Sequence, residues 1–316
     1  MKKFIRALVC FTVLMAVMYL PLLFIWGDAA PYWVYTSLKY KRGHSNTPRM
    51  LDEARNTSGP DILILGSSHA YRGFDVRIFS NAGYTAFNLG SSSQTPLQTF
   101  VLLQRYLKTI HPKFVIYEVY PGTFRDKGIE GAADLISNDM NDSLTYNMAL
   151  NVNHLIIYNT LAYGYYHDIT RGKNVKTNTD LAAEDTYIPG GYVEKKLTYY
   201  KNMPARRKHA IHFNEKQMAA FEKSIALLEK SGIQYALVFA PVPKSTYNAF
   251  SNTQDFEVYF NRWGRYYDYN TRVDLNDSLH FFDNNHLNQR GVELFNRELL
   301  KNNEIFSRIP KDDRGL

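Results

Sequence analysis

Residues 61–68 read Asp-Ile-Leu-Ile-Leu-Gly-Ser-Ser, a short apolar run that ends in one glycine and two serines. An uninterrupted apolar run of this length, closed by a tight turn, is typical of a strand that is buried on both faces of a parallel sheet. The run therefore predicts the first strand of an α/β sheet, with Ser67 and Ser68 at the carboxyl end of that strand.

The same pattern recurs along the chain. Further strands are predicted at residues 84–89, 113–119 and 234–240, with a fifth near residues 271–275, and apolar stripes at helical spacing lie between them. The last helix is predicted to begin after Asn288, because asparagine caps helices well. This alternation favours a three-layer α/β/α sandwich with a mainly parallel five-stranded sheet, in which sites form at the carboxyl ends of the strands.

Two segments fall outside this alternation. Residues 122–213 are rich in Asn and Tyr, and we interpret them as a large insertion over the site, with a separate subdomain as the alternative. Residues 27–60 are interpreted as a juxtamembrane stalk or, equally, as a loop packed on the domain. The catalytic domain itself is predicted to cover residues 61–316.

The N-terminus predicts a membrane anchor within residues 1–26. Lys2, Lys3 and Arg6 precede an uncharged stretch from Ala7 to Trp26, which as a helix would span roughly 30 Å of hydrocarbon. A cleavable signal peptide is the rival, because residues 27–29 are suitable for a signal peptidase. The positive flank places the domain outside the cytoplasm in both cases. We expect a single-pass protein of a bacterial cytoplasmic membrane.

Composition excludes several classes of site. The only cysteine is Cys10, so neither a disulfide framework nor a thiolate zinc site is possible. His209 and His212 are three residues apart without a third ligand at useful spacing, and we expect no metal and no cofactor. The formal charge of +7 is compatible with an anionic partner or with an ordinary basic surface. Because the basic residues are scattered, nucleic acid is not expected as a partner.

Ser68 and the pair Asp283 and His286 are the candidate catalytic residues. A serine at a strand-to-helix turn presents its hydroxyl to substrate, although Ser67 is a rival and both serines could simply cap the helix. An Asp three residues before a His allows the carboxylate to reach one ring nitrogen and leave the other nitrogen basic. Together these residues predict a Ser-His-Asp triad.

On these residues the sequence resembles the SGNH, or GDSL-like, hydrolase superfamily. Gly66-Ser67-Ser68 is similar to its first block, Asn88-Leu89-Gly90 to its second and Asp283 to His286 to its fifth. The resemblance implies a flavodoxin-like sandwich in which Ser68 is the nucleophile, His286 the general base and Asp283 its orienting partner. It further implies that the amides of Gly90 and Ser68 form the oxyanion hole.

The third block departs from the pattern of the superfamily. The expected Gly-x-Asn-Asp is absent, and the third strand ends as Glu118-Val119-Tyr120-Pro121-Gly122. A further oxyanion donor is therefore expected from Asn88, from Tyr120, from the insertion, or from the backbone alone. Glu118 is interpreted either as a group that orients a neighbour or as a buried carboxyl with a structural partner.

One transmembrane segment followed by such a domain resembles the membrane-anchored proteins that D-alanylate teichoic acids or O-acetylate exopolysaccharides. This resemblance implies acyl transfer to or from an envelope glycan or polyol, beside a polytopic membrane-bound O-acyltransferase. The alternatives are an exported esterase or lipase, which shares the acyl-serine intermediate, and a catalytically idle scaffold that binds the same partners.

Overall fold

The computed structural model describes residues 1–30, 34, 37–172, 184–201 and 206–310. The strands are β1 (Ile62–Leu65), β2 (Ala86–Asn88), β3 (Phe114–Glu118), β4 (Asp185–Ile188), β5 (Tyr192–Lys195), β6 (Gln234–Phe239) and β7 (Tyr266–Asp268). The helices are α1 (Lys2–Ala29), α2 (Thr47–Asn56), α3 (Ser68–Gly73), α4 (Val76–Asn81), α5 (Pro96–Ile110), α6 (Pro121–Arg125), α7 (Ile129–Asn138), α8 (Ser143–Val152), α9 (Leu155–Arg171), α10 (Glu215–Lys230), α11 (Lys244–Tyr247), α12 (Thr253–Phe260), α13 (Asp277–His280), α14 (Gln289–Leu300) and α15 (Asn303–Phe306).

The central sheet has the strand order β2-β1-β3-β6-β7, and all of its neighbouring strands pair in parallel. Successive residues of β1 face opposite layers, as the pleat of a strand requires. Ile62 and Ile64 belong to the apolar cluster that contains α14, whereas Leu63 and Leu65 belong to the cluster that contains α5 and α10. The predicted three-layer sandwich with a parallel five-stranded sheet is confirmed.

The fifth strand is not where the sequence places it. The prediction was residues 271–275, but the edge strand is β7 at Tyr266–Asp268, which pairs with β6 through Tyr267 and Val238. Asp268 then ends the strand, because its carboxylate accepts the backbone N–H of Asn270 at 2.9 Å and turns the chain. The prediction for this strand was wrong by about five residues.

Residues 121–171 form helices α6 to α9, and their apolar faces join the core of the sandwich. Leu135, Met148 and Ile157 lie in the same cluster as Leu63 and the helix α5. The antiparallel hairpin of β4 and β5 packs on α3, where Arg72 makes a bidentate ion pair with Asp185 at 3.1 and 2.7 Å. The described part of the insertion therefore shares its packing with the sheet.

The N-terminal segment contains a helix and a packed connection. Helix α1 is long and apolar enough to cross a membrane, as judged by its length and composition. After it, Leu38 and Tyr40 are buried, and α2 buries Met50 and Leu51 in the core of the sandwich. From Leu38 onwards this segment thus packs on the domain.

Candidate active site

Ser68 is presented by a turn between β1 and α3. Gly66 has a φ of +140°, a backbone conformation that favours glycine, and it allows the chain to reverse directly after β1. Ser67 is the N-cap of α3: its hydroxyl accepts the backbone N–H of His69 at 3.3 Å. Ser68 is the first residue of the helix, so the two serines are distinguished, with Ser67 as the cap.

Asp283 and His286 lie on a short loop whose ends are held together. Phe281 and Leu287 form an antiparallel bridge across its base, and the backbone N–H of Phe282 donates to the carbonyl of His286 at 3.1 Å. Within the loop, one oxygen of Asp283 accepts the backbone N–H groups of Asn285 and His286, each at 2.7 Å. The loop therefore fixes the carboxylate before any contact with the imidazole ring is considered.

The three predicted catalytic side chains are brought together across 218 residues of sequence. Ser68 Oγ lies 2.7 Å from His286 Nε2, and His286 Nδ1 lies 2.9 Å from Asp283 Oδ2. A carboxylate only accepts, so Nδ1 carries the proton and Nε2 is left to accept from the Ser68 hydroxyl. Burial alone would raise the pKa of Asp283, but hydrogen bonds from His286 and Asn285 outweigh it and lower that pKa.

His69 supports this loop from below. It is buried, its ring stacks on Tyr120 with centroids 4.0 Å apart, and its Nε2 lies 3.1 Å from the carbonyl oxygen of Asn285. Since a carbonyl only accepts, Nε2 carries the proton and donates to the residue next to His286. Burial, reinforced by the nearby His286, lowers the pKa of His69 to about 3, so this imidazole is neutral at ordinary pH.

Gly90 and Asn88 lie beside the nucleophile turn at the end of β2. A Cβ at Gly90 would be only 3.0 Å from the carbonyl oxygen of Ser67 and from Ala70 Cβ, so a side chain there would crowd the turn. The amide of Gly90 donates to Asn88 Oδ1 at 3.0 Å, and Asn88 Nδ2 donates to the carbonyl of Ala70 at 2.8 Å. Asn88 thus ties β2 to α3, and the oxyanion role of the Gly90 amide stays a prediction.

Glu118 is buried at the end of β3, directly against the nucleophile turn. Neither of its carboxyl oxygens makes a well-formed hydrogen bond to a described residue. Burial raises its pKa to about 8, against the opposing influence of the nearby backbone at Ser67, Ala240 and Tyr120. Glu118 is therefore a neutral carboxylic acid at neutral pH.

A cavity of about 260 Å³ opens beside Ser68. Larger cavities, of about 450 and 440 Å³, lie beside α2 and beside α8 and α10, and none of Ser68, Asp283 and His286 lines them. The smaller cavity is the candidate substrate site because Ser68 itself lines it. The rest of its lining is polar or small: Ser67, His69, Ser93, Thr95, Tyr120, Gly122, Thr123, Asp126 and Asn285.

Neither His209 nor His212 lines the cavity beside Ser68. His209 pairs with Phe250 in an isolated bridge, and its ring meets that of Phe250 edge-on at 5.7 Å. Over the described ranges, no group of three or more His, Cys, Asp or Glu residues has the arrangement of a metal site.

Two features of the site went beyond the sequence prediction. The sequence placed His69 beside the nucleophile but gave no sign that its ring would contact the loop of His286. Glu118 was recognised as a carboxyl at the end of a buried strand, yet its contact with Gly66 depends on the pairing of β1 with β3. The signal available in advance was the charged residue at the end of an otherwise apolar strand.

No family model matches this chain, and no curated protein matches it in sequence. Among solved structures it is similar to a GDSL-like lipase from Bacteroides thetaiotaomicron, with a TM-score of 0.42 and 12% identity over 83% of this chain and 98% of the lipase. It is also similar to a Bacteroides fragilis protein described as an acylhydrolase, with a TM-score of 0.41 and 12% identity over 83% and 96% of the two chains. At this identity the likeness concerns the fold alone.

Proposed function

We propose that this protein is a membrane-anchored serine O-acyltransferase or esterase that acts outside the cytoplasm on O-acyl groups of an envelope glycan or polyol. The observation that carries the proposal is the continuous hydrogen-bonded chain from Ser68 Oγ through His286 to Asp283, with distances of 2.7 and 2.9 Å. Such a chain is the minimal apparatus for forming an acyl-serine intermediate.

In the first step His286 Nε2 takes the proton of Ser68 as Ser68 Oγ attacks the ester carbonyl. The carbonyl oxygen becomes negatively charged, and the predicted donors are the amides of Ser68 and Gly90. The Gly90 amide would exchange its bond to Asn88 Oδ1 for one to this oxygen. The tetrahedral intermediate collapses, the alcohol leaves with the proton from His286, and the acyl group stays on Ser68. Asp283 stabilises the imidazolium while it exists. Attack by water or by a glycan hydroxyl then reverses these proton movements and releases the acyl group.

The lining of the cavity supports small, polar substrates. Ser93, Thr95, Thr123 and Asp126 line it, and none of its described lining residues is aliphatic. The volume of about 260 Å³ also limits the length of the acyl chain that fits beside Ser68. The cavity therefore favours short acyl groups and hydroxyl-rich acceptors over the lipase alternative.

The contacts of α1 support a retained anchor over a cleaved signal. Asp28 accepts hydrogen bonds from the hydroxyls of Tyr163 and Tyr166 at 2.7 and 2.9 Å and pairs with Arg171 at 2.7 Å. Gly27 packs so closely on the ring of Tyr163 that a Cβ would overlap it. Cleavage after Ala29 would remove all of these contacts. A polytopic membrane O-acyltransferase as the source of acyl groups is part of the same proposal.

Labelling with a fluorophosphonate probe tests the nucleophile. Wild-type protein should be labelled and Ser68→Ala should not, whereas Ser67→Ala should still be labelled at Ser68 because Ser67 only caps α3. Labelling of Ser68→Ala would overturn the assignment. If the wild type shows neither labelling nor turnover of acetyl esters, the protein is instead a catalytically idle scaffold.

Product analysis separates transfer from hydrolysis. The wild type would be given an acetyl ester together with a glycan or polyol acceptor, and the products would be identified by mass spectrometry. Acetylated acceptor indicates a transferase, and free acetate alone indicates an esterase. A clear preference for long-chain esters would contradict the proposed substrate class.

A further inference from the structure

Helix α1 does not leave the domain immediately after the membrane; it lies along α9 for almost three turns. Tyr19 Oη donates to Asn159 Oδ1 at 2.8 Å near the start of α9. Further along both helices, the ring of Phe24 stacks on Tyr166 with centroids 4.4 Å apart. Asp28 contacts Arg171 at the end of α9. The two helices therefore run parallel, with the beginning of α9 beside Tyr19.

This arrangement limits how far the domain can stand from a bilayer. Residues 2–18, which precede the contact with α9, would span only about 25 Å as a helix, whereas the hydrocarbon core is about 30 Å thick. Lys2, Lys3 and Arg6 keep the usable apolar length shorter still, because the uncharged residues 7–18 would span only about 18 Å. The hydrocarbon core must then extend past Tyr19 towards Trp26, and the beginning of α9 lies inside the outer membrane boundary.

The residues at this end of the domain suit such a position. The turn from α8 to α9, residues 150–155, is here called the α8–α9 tip. It carries Leu150 and Leu155, whose exposed fractions are 46% and 63%. Exposed leucines at a helix end cost little when they enter the boundary between lipid headgroups and acyl chains, to a depth of about 5–10 Å.

The polar groups around the tip fit the headgroup layer. Lys216 donates to the carbonyl of Asn151 at 2.6 Å. Both residues line a groove that also contains Lys127 and one acidic residue, Glu215. Lysines at this level attract anionic lipid headgroups. Asp126, the neighbour of Lys127, lines the cavity beside Ser68, so the rim of the candidate active site adjoins this membrane-facing side.

We propose that the α8–α9 tip inserts shallowly into the outer leaflet, so that the domain lies on the membrane and the cavity of Ser68 opens near the lipid surface. This rests on the proposed anchor, because the depth of the tip is set by α1. The consequence is that one substrate is presented at the membrane surface. A domain free to move away from the bilayer would impose no such restriction.

Single-cysteine fluorescence tests the proposal. The full chain carries only Cys10, so Cys10→Ser gives a background in which Leu155→Cys and Ile169→Cys can each be labelled with an environment-sensitive dye. Ile169 is the matched control: it is 83% exposed on the same helix. It lies 14 residues, or about four turns and 21 Å, further from the membrane on nearly the same face. A third sample keeps Cys10 and reports on the anchor.

Each protein would be reconstituted in vesicles of phosphatidylethanolamine and phosphatidylglycerol that contain nitroxide-labelled lipid. The label at Leu155 should be blue-shifted and quenched at least about twofold more than the label at Ile169, as expected for insertion at the headgroup boundary. Equal quenching at Leu155 and Ile169, with strong quenching at Cys10, would contradict insertion of the α8–α9 tip but would support α1 as a membrane anchor. An unquenched label at Cys10 would contradict both the membrane anchoring by α1 and the insertion of the tip.

The same samples distinguish lipid from a protein partner. A label at Leu155 that stays water-exposed in pure lipid but is shielded in native membranes would assign the tip to a membrane protein and overturn the lipid proposal. A melting temperature close to that of the wild type, measured for both variants, would show that a negative result does not arise from unfolding.

Discussion

Glu118 and Gly66 are in direct contact beside the turn that carries Ser68: a Cβ built on Gly66 would lie 2.8 Å from Glu118 Cβ and 3.0 Å from Glu118 Oε2. The carbonyl oxygen of Glu118 is also 3.0 Å from that position. The turn that presents Ser68 is thus closed from below by a strand of the same sheet, and its shape depends on the absence of a side chain at position 66.

Gly66→Ala should destabilise the protein by roughly 2–5 kcal/mol, because it adds backbone strain at a φ of +140° and a clash with Glu118. Denaturant unfolding in detergent would measure the loss. Gly59→Ala is the control, since Gly59 also has a positive φ but nothing lies within 4 Å of its Cβ position. It should lose only about 1–2 kcal/mol from strain. Equal losses would contradict the packing argument.

Glu118→Gln should flatten the dependence of stability on pH. The folded protein holds a proton on Glu118 up to a pKa of about 8, whereas the ordinary pKa of glutamate is 4.5. Between these values the unfolded chain binds fewer protons, so wild-type stability falls as pH rises through this window. Glutamine cannot ionise and has nearly the same shape. Unfolding curves at several pH values would measure both slopes, and parallel slopes for the two proteins would refute the assignment.

Asp283→Asn should lower kcat by a factor on the order of 10²–10⁴, with little change in folding. Asparagine can still accept the backbone amides of Asn285 and His286, but its amide nitrogen cannot accept the Nδ1–H of His286, so the useful tautomer is no longer enforced. Ester turnover and the rate of probe labelling would measure the loss. Asn284→Ala is the matched control on the same loop, because only the backbone carbonyl of that exposed residue is used, by Thr246.

His69→Phe should lower kcat about five- to tenfold, since it keeps a ring against Tyr120 but removes the hydrogen bond to the Asn285 carbonyl. His69 acts here as a positioning residue for the loop of His286. His69→Gln retains a donor and should recover part of the loss in kcat. Comparable activity in wild type and His69→Phe would show that the loop does not need this support.

The sequence was sufficient for the parts of the fold that depend on local pattern. The run from Ile62 to Leu65 predicted a buried strand because both of its faces are apolar, and the turn after it predicted the position of Ser68. The edge strand β7 was misplaced because a three-residue strand with two tyrosines carries almost no periodicity. The role of α2 was left open, since its burial depends on contacts with α5 that no local pattern encodes.

In the candidate site, too, some features follow from local sequence and others depend on the assembled fold. Asp283 and His286 were predictable because their spacing within one loop determines their contact, and a distant serine was then required. The bond from the Asn88 side chain to the carbonyl of Ala70 was not predictable, since it depends on how β2 meets α3. Local spacing therefore identified the reacting groups, and only the assembled sheet showed what holds them.

The contacts of Asp28 have a practical consequence for the design of soluble fragments. A truncation of residues 1–30, made to remove the apolar N-terminal helix, would strip Phe24, Gly27 and Asp28 from α9. The rings of Tyr163 and Tyr166 would then face water, and Arg171 would lose the carboxylate that it contacts. An exposed aromatic surface of this kind promotes self-association during purification. Fragments for crystallisation should therefore begin near Tyr19, with its apolar neighbours replaced by polar residues.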